Sequence, residues 1–338
     1  MKPGVGLLLG DATGIGPELV AKLLASYPVH EHADLVVVGD QRIFEMGQKI
    51  AKTSVVTSLI SSLAEAQFDT AEVQLLDFPG VNPGEFELGK LSPKAGKSVL
   101  DVLAFTLDEA KAGRLDAIVF GPFNKQAMHL GGSPFPDELH FMADRLGWTG
   151  HFSEINVLEN LWTSRVTSHI GLRQVSDLIT KEGVYKAIVM IDRALRLSGV
   201  AAPRIVVAAL NPHGGEGGLF GREELEAITP GIQQASAEGI NASGPYPADT
   251  IFLRAKRGDC DAVVSMYHDQ GQIAMKLMGF DRGVTVQGGL PVPITTPAHG
   301  TAFDIAGQGK ATPSGLWNAY QIACRMAAHR KHQRAAQA

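Results

Sequence analysis

Short apolar runs alternate along this chain with longer stretches whose apolar residues recur every three or four positions. The runs Val5–Leu9, Leu35–Val38, Val73–Leu76, Ala117–Phe120, Ile155–Leu158, Ile205–Ala209 and Ala262–Met266 have the length and composition of strands. Between them, Glu18–Leu24, Ala95–Ala112, Val184–Leu197 and Arg222–Ala235 carry helical spacing. The strand runs are apolar throughout rather than alternating, which predicts an α/β protein whose sheet is covered by helices on both faces. Helix punctuation agrees. Ser92 offers an N-cap with Pro93 at the first helical position, and Asp177 is placed to cap the helix that follows it. Proline and glycine cluster in three loops, Phe78–Gly84, Gly131–Asp137 and Gly214–Gly221, and the tail beyond about Ala328 reads as frayed and solvent-exposed.

Composition narrows the classes. With 338 residues, 45% of them hydrophobic, the chain has enough apolar material for a large core, divided over two lobes with no compositional break between them. A net charge of -5 argues against nucleic-acid binding through bulk positive potential. The apolar run Gly6–Gly10 is too short to span a membrane and lacks the charged start and cleavage site of a secretory signal, so a soluble, cytoplasmic protein is expected. Cys260 and Cys324 form neither a disulfide framework nor a zinc ligand set.

The chemistry is concentrated where strands are expected to end. Gly10–Glu18 (GDATGIGPE) follows the first strand and opens the first helix, the position of a phosphate loop, but it lacks the third glycine of the dinucleotide fingerprint and any Lys-Ser/Thr pair. Ala95–Ser98 (AGKS) reads as a helix start, because no glycine stands at 91 and no strand precedes it. GPFNK at Gly121–Lys125 presents an amide and a cation, Lys125, to a carboxylate or phosphate. GPYPADT at Gly244–Thr250 opens a helix with Asp249 in or near its first turn. His169 ends the run Arg165–Ile170, His213 follows the strand at Ile205, and His268 follows the strand at Ala262 with Asp269 beside it. Three neutral imidazoles at three strand ends can converge on one divalent ion, although their wide spacing does not require it. Of the other histidines, His30, His32, His329 and His332 read as surface residues, and His129, His140 and His151 fall in or near loops and helix ends.

Together, GDATGIGPE, GPFNKQA, SHIGL, NPHGGEGGLFGREE, GPYPADTIF, MYHDQG with Lys276, and HGTAFDIAG resemble the 4-hydroxythreonine-4-phosphate dehydrogenases. These segments run from Gly10 to Gly307, nearly the whole chain. The last also looks like the adenosine-binding loop of isopropylmalate and isocitrate dehydrogenases. The resemblance implies a two-domain α/β/α subunit of the isopropylmalate dehydrogenase-like type, with residues 1–128 and 285–338 forming the cofactor-side domain. Residues 129–284 form the metal, substrate and dimerisation domain, and the cleft between the domains holds the active site. It further implies a homodimer with shared sites and NAD- or NADP-dependent oxidation of a hydroxyl β to a carboxylate, followed by loss of carbon dioxide. By the same resemblance a divalent metal (Zn, Mg, Mn or Co) falls on His169, His213 and His268, and the cofactor on His299, Gly300, Thr301, Ala302 and Asp304. Asp249, Asp269 and Lys276 become the catalytic candidates, and Lys276 also a substrate ligand.

The family's Gly-His-Thr-Glu run is replaced here by Asp137–His140, so its substrate-binding histidine and threonine become Glu138 and Leu139, while a family asparagine falls on Thr285 and a family arginine on Ile294. With Lys125 these four line the expected substrate pocket. Loss of a bidentate phosphate clamp and gain of an acid predict an unphosphorylated diol or hydroxy carboxylate, such as the cis-dihydrodiol acid of a terephthalate-type relative. Turnover of 4-hydroxythreonine 4-phosphate or threonate 4-phosphate is the alternative, and a catalytically silent NAD- or metabolite-binding regulator is the alternative from another class.

Overall fold

The computed structural model describes residues 2–279 and 282–337. Two compact units divide the chain: unit 1 comprises Met1–Gly150, Val284–Val286 and Leu290–Ala338, and unit 2 comprises His151–Gly283 and Gln287–Gly289. In chain order the strands are β1 (Gly4–Leu8), β2 (Asp34–Gly39), β3 (Thr57–Ile60), β4 (Val73–Asp77), β5 (Ala117–Phe120), β6 (Ser153–Leu158), β7 (Leu161–Arg165), β8 (Ile205–Ala208), β9 (Ala242–Tyr246), β10 (Ala262–Ser265), β11 (Val284–Gly288) and β12 (Ile294–Pro297).

Unit 1 orders its strands β3-β4-β2-β1-β5-β12-β11, all parallel except β11, which runs antiparallel to β12. The chain leaves β1 toward β2 on one side and later returns to place β5 on the other. The carboxyl ends of β1 and β5 are therefore a topological switch point, where α/β sheets bind ligands. Unit 2 orders its strands β6-β7-β10-β8-β9, with β7, β10, β8 and β9 parallel and β6 antiparallel to β7. All four residues of β5, β8 and β10 are buried, as continuous apolar runs require.

The helix Pro93–Lys111 starts as its punctuation predicts, with Ser92 Oγ accepting from Ala95 N at 3.2 Å. Val99, Leu103 and Leu107 on this helix pack with Leu8, Val38, Ile118, Phe120 and Ile294 in the unit 1 core. Gly96 lies against the helix Lys125–Leu130 so closely that an added Cβ would overlap the Ala127 carbonyl. The glycine of AGKS thus serves helix packing.

Several expectations are corrected. Asp177 lies inside the short turn Val175–Leu178, and Thr180 caps the next helix, its hydroxyl accepting from Gly183 N at 3.0 Å. Ile179 is extended between them, which resets the count for the cap. The run Arg222–Ala235 divides into a π-helical turn, Glu224–Ile228, and a helix, Thr229–Ala237. Pro230 lacks the N–H that an unbroken α-helix would return to Glu226. The tail is helical through Ser314–Gln337, since no glycine or proline follows Gly315 and alanine, arginine, lysine and glutamine favour the helix. β7 ends at Arg165, so His169 sits in the loop beyond it rather than at the end of a strand. No described helix is long and apolar enough to cross a membrane.

Gly96→Ala is expected to cost about 1–3 kcal/mol by overpacking against backbone. Gly84→Ala, where an added Cβ meets nothing within 4 Å, is expected to stay within roughly 0.5 kcal/mol of the parent. Chaotrope unfolding of both variants measures the contrast, and equal midpoints would contradict the packing role.

Candidate active site

In unit 2 the histidines follow adjacent parallel strands. The main-chain ladder between β7 and β10 continues past both strands, with Val166 N donating to Ser265 O and Thr167 N to Met266 O, each at 3.0 Å. Thr167 Oγ1 adds a bond to Met266 O at 2.8 Å. Two residues beyond each end of this zipper stand His169 and His268, their ring centres 5.6 Å apart. Two imidazoles sharing a tetrahedral ion at about 2.0–2.1 Å put their ring centres roughly 5 Å apart, so the pair suits a common divalent ion. His268 Nδ1 lies 2.7 Å from Asp269 Oδ1. Such a carboxylate holds the proton on Nδ1 and leaves Nε2 to face a metal.

His213 lies elsewhere. It opens a loop in which His213, Gly214, Gly215, Glu216 and Gly217 all have positive φ, from 44° to 78°. The two non-glycine members each cost about 1–2 kcal/mol in that region. The His213 side chain is 68% exposed, 3.5 Å from Glu216. Among the described residues, no three His, Cys, Asp or Glu side chains gather closely enough to hold one ion. The expected trio is therefore represented within one chain by a pair. Asp249 is exposed in the first turn of Ala248–Lys256, and Lys276 is exposed toward the end of His268–Gly279.

Arg165, missed in the sequence, explains how the His169 loop is held. It is 4% exposed and forms a salt bridge with Glu154, while donating to Asn156 Oδ1 at 2.8 Å and to Ser168 Oγ at 3.0 Å. An arginine closing a run of strand residues beside a histidine was the available signal.

In unit 1 the loops after β1, β5 and β12 meet. Asp11 N donates to Pro122 O at 3.0 Å and Ile15 N to Thr301 O at 3.1 Å. A Cβ on Gly10 would lie 2.7 Å from the Gly121 carbonyl carbon, and one on Gly14 would lie 2.8 Å from Thr301 Cβ, so glycine is required at both close approaches. Glu18 and Lys22, on the helix Gly16–Ser26, fix the far end of the His299–Asp304 loop. Glu18 Oε1 accepts from Ala311 N at 2.9 Å, while Lys22 Nζ donates to Glu18, Gly309 O and Ala311 O at 2.7–2.8 Å. Within this loop Thr301 is buried, Ala302 has a φ of 44°, Asp304 is exposed, and the side of Gly300 where a Cβ would stand is open. That opening lets a nucleotide approach the backbone. Burial lowers the pKa of His299 below its ordinary value, against a smaller raising effect from the Gly300 carbonyl.

The substrate candidates of unit 1 divide. Lys125 Nζ stands 3.6 Å from Glu138 Oε2, a cation opposite the buried acid at the start of the helix Glu138–Leu146. The acid expected to repel an anion is thus offset locally. Leu139 is buried, Thr285 is 9% exposed on β11 opposite Thr296, and Ile294 is fully enclosed in the core. Ile294 therefore acts in this unit as a packing residue rather than as a surface offered to a ligand.

Comparison with known proteins follows the same outline. The family model described as pyridoxal phosphate biosynthetic protein PdxA matches residues 31–323. A Pseudomonas aeruginosa protein provisionally named 4-hydroxythreonine-4-phosphate dehydrogenase 2 is 52% identical, over 97% of this chain and 98% of its own. A Cupriavidus necator protein named D-threonate 4-phosphate dehydrogenase is 39% identical over 97% and 98%. The crystal structure of the Klebsiella pneumoniae 4-hydroxythreonine-4-phosphate dehydrogenase is similar with a TM-score of 0.85 at 36% identity, covering 97% of this chain and 98% of that one. A Burkholderia xenovorans terephthalate 1,2-cis-dihydrodiol dehydrogenase gives 0.68 at 27% identity, covering 96% and 98%.

Asp11 is the other site residue missed in the sequence. It is fully buried in the glycine loop, where its Oδ1 accepts from Thr13 N at 2.9 Å and Thr13 Oγ1 at 2.8 Å. Its Oδ2 has no protein hydrogen-bond partner among the described residues. Burial pushes this carboxyl above the ordinary aspartate range, against the lowering effect of the Thr13 hydrogen bonds. The folded chain therefore binds the proton more tightly than the unfolded chain, so stability is lost as pH rises from the unfolded value of 3.8 through the folded one. Asp11→Asn keeps an acceptor for Thr13 and removes the charge. The variant is expected to gain about 1 kcal/mol or more at pH 7, roughly 2–4 °C in Tm, and to lose that advantage at pH 4. Calorimetry at the two pH values checks it, and an advantage independent of pH would refute the titration of Asp11.

Proposed function

Because this chain belongs to the PdxA family, we propose that it is a divalent-metal-dependent NAD(P) dehydrogenase acting on a four-carbon 3-hydroxy acid phosphorylated at its fourth carbon. The observation that carries the metal half is the His169–His268 pair with Asp269 behind it. The substrate half rests on the relatives' names, which describe acids of this class with an amine or a hydroxyl at the second carbon. The unphosphorylated dihydrodiol acid expected from Glu138 and Ile294 is not supported. The terephthalate enzyme is the more distant of the two structural neighbours, Lys125 faces Glu138, and Ile294 is buried in the core.

His169, His268 and His213 are the residues that would hold the ion, with His213 supplied to a site shared between two copies of the chain. Bound there, the ion would supply Lewis acidity toward the substrate's oxygen atoms and the nicotinamide would supply a hydride acceptor. Asp269 keeps His268 in the tautomer that faces the ion with Nε2. Lys125 and Lys276 offer cations to the carboxylate and phosphate, and Asp249 offers an acceptor to the substituent on the second carbon. Gly300, Thr301, Ala302 and Asp304, with His299 kept neutral by burial, present backbone and small side chains to the adenosine half of the cofactor. The carboxylate leaves as carbon dioxide from the β-keto acid.

The proposed unit of function is a homodimer formed through unit 2, which exposes Leu172, Leu219 and Leu277 at 70%, 76% and 84% near the segments carrying the histidines. These leucines are the apolar side chains that unit 2 would offer to a second copy of the chain.

Reduction of NAD or NADP with 4-hydroxythreonine 4-phosphate, threonate 4-phosphate and a cis-dihydrodiol acid, each with Zn, Mg or Mn, tests the reading. Turnover is expected with a phosphorylated acid only, and His213→Ala is expected to abolish it with loss of bound metal. Turnover confined to the diol acid would refute the substrate class, and cofactor binding without turnover of any of the three would favour the silent regulator. Leu277→Glu is expected to shift the dimer toward monomer in light scattering and to lower kcat at least tenfold. A fully active monomer would overturn the shared site.

A further inference from the structure

Three side chains to which no role has yet been given tie the histidine-bearing segments of unit 2 to one another. Gln270 stands one turn into the helix His268–Gly279. Its Oε1 accepts from Met266 N at 2.6 Å, at the end of β10, and its Nε2 donates to Ala209 O at 2.8 Å, at the end of β8. One amide thus spans the two strand ends from which His268 and His213 depart, two and four residues further on.

Glu224 performs the matching task on the other side. It is 3% exposed at the start of the π-helical turn Glu224–Ile228, a local geometry associated with functional sites. Its Oε1 accepts from Leu210 N at 2.8 Å and Asn211 N at 2.7 Å, and its Oε2 accepts from Asn211 Nδ2 at 3.0 Å. Those bonds fix the two residues before Pro212–His213, the entry to the left-handed run. A strained loop persists only where its surroundings over-determine it, and this carboxylate supplies that determination. The neighbouring Glu223 accepts from the same Asn211 Nδ2 at 2.6 Å and from Ser176 Oγ, which lies on the segment following His169. The network therefore reaches all three histidine-bearing segments.

Resting on the reading that these histidines bind a divalent ion, we propose that Gln270, Glu224 and Glu223 are positioning residues that preorganise the ligands before the ion arrives. They touch no ligand histidine through a hydrogen bond of their own. Their effect is to hold the three departure points in register, so that ordering the loops is completed on folding rather than drawn from metal binding. Residues that orient metal ligands typically change metal affinity 10–100-fold when replaced.

The purified full-length protein, stripped of metal, is titrated with zinc alone by calorimetry and competition dialysis, alongside His268→Ala, Gln270→Met, Glu223→Gln and Glu224→Gln. The parent is expected to bind zinc and His268→Ala to lose binding. Gln270→Met and Glu224→Gln are expected to bind about 10–100-fold more weakly, with kcat restored at saturating zinc and KM within twofold. Amide exchange at Leu210 and Asn211 is expected to accelerate in metal-free Glu224→Gln, a change that needs no metal or turnover to be seen. Where the buried Glu224→Gln fails to fold, Gln270→Met and the half-buried Glu223→Gln decide the matter. Zinc affinity within twofold of the parent in the folded variants overturns the proposal and leaves the metal reading standing. A parent that binds no zinc overturns the metal reading and this inference with it.

Discussion

The parallel main-chain ladder between β7 and β10 is the constraint on which the rest of the candidate metal site depends. It continues beyond the strands to Thr167 and Met266, so the backbone leaves the sheet in register only two residues before each histidine. Side-chain placement over two residues leaves little conformational freedom to remove. The 5.6 Å separation of the His169 and His268 rings follows from that short reach. His213 departs four residues after Ala209 through a left-handed loop, and its position depends on the carboxylate and amide anchors that bind the loop's entry. The candidate ligand pair is thus set by sheet geometry and the His213 loop by side chains.

Unit 1 uses the same sheet logic for a different end. Its switch point between β1 and β5 brings loops into close approach, because Gly10 and Gly121 pack against backbone and Gly14 against Thr301. Such contacts cannot be stabilised by apolar burial, so the loops are secured by Glu18 and Lys22, and by Asp11 with Thr13. Buried acids are costly unless hydrogen-bonded. Glu18 Oε1 meets that requirement through Lys22 and Ala311 and Asp11 Oδ1 through Thr13, while the second oxygen of each is buried without a protein partner among the described residues. The unsatisfied Asp11 oxygen lies in the loop that supports Thr301.

The substitutions that separate this chain from its family's motifs have different physical meanings once placed. Glu138 is half of a pair with Lys125, whereas Ile294 continues a buried strand. An arginine replaced by isoleucine in sequence suggests a lost ligand. In the folded unit it marks a position now used for packing, where a charged head group would have no water and no partner. The dehydrogenase framework is retained, and with Glu138 paired and Ile294 packed in the core the motif departures do not carry the unphosphorylated substrate read from them.

The sequence by itself determined the α/β class, the strands β1, β2, β4, β5, β6, β8 and β10, the helix capped by Ser92 and the family, because continuous apolar runs, caps and long motifs are local signals. It also singled out His169, His213 and His268 as candidate ligands, although His169 proved to lie in a loop beyond β7. It did not reveal β3, β7, β9, β11 and β12, which are short, lie at edges, carry polar residues or are interrupted by glycine and proline, and whose pairing depends on neighbours distant in the chain. Nor did it reveal Arg165, Asp11, Glu224 or Gln270. Only the tertiary structure decided these, because a buried polar residue acquires its role from partners such as Leu210, Asn211 and Ala209, whose backbone groups carry no signature in the sequence. A hydrogen-bonding requirement belongs to every residue, and only the fold determines which side chain meets it.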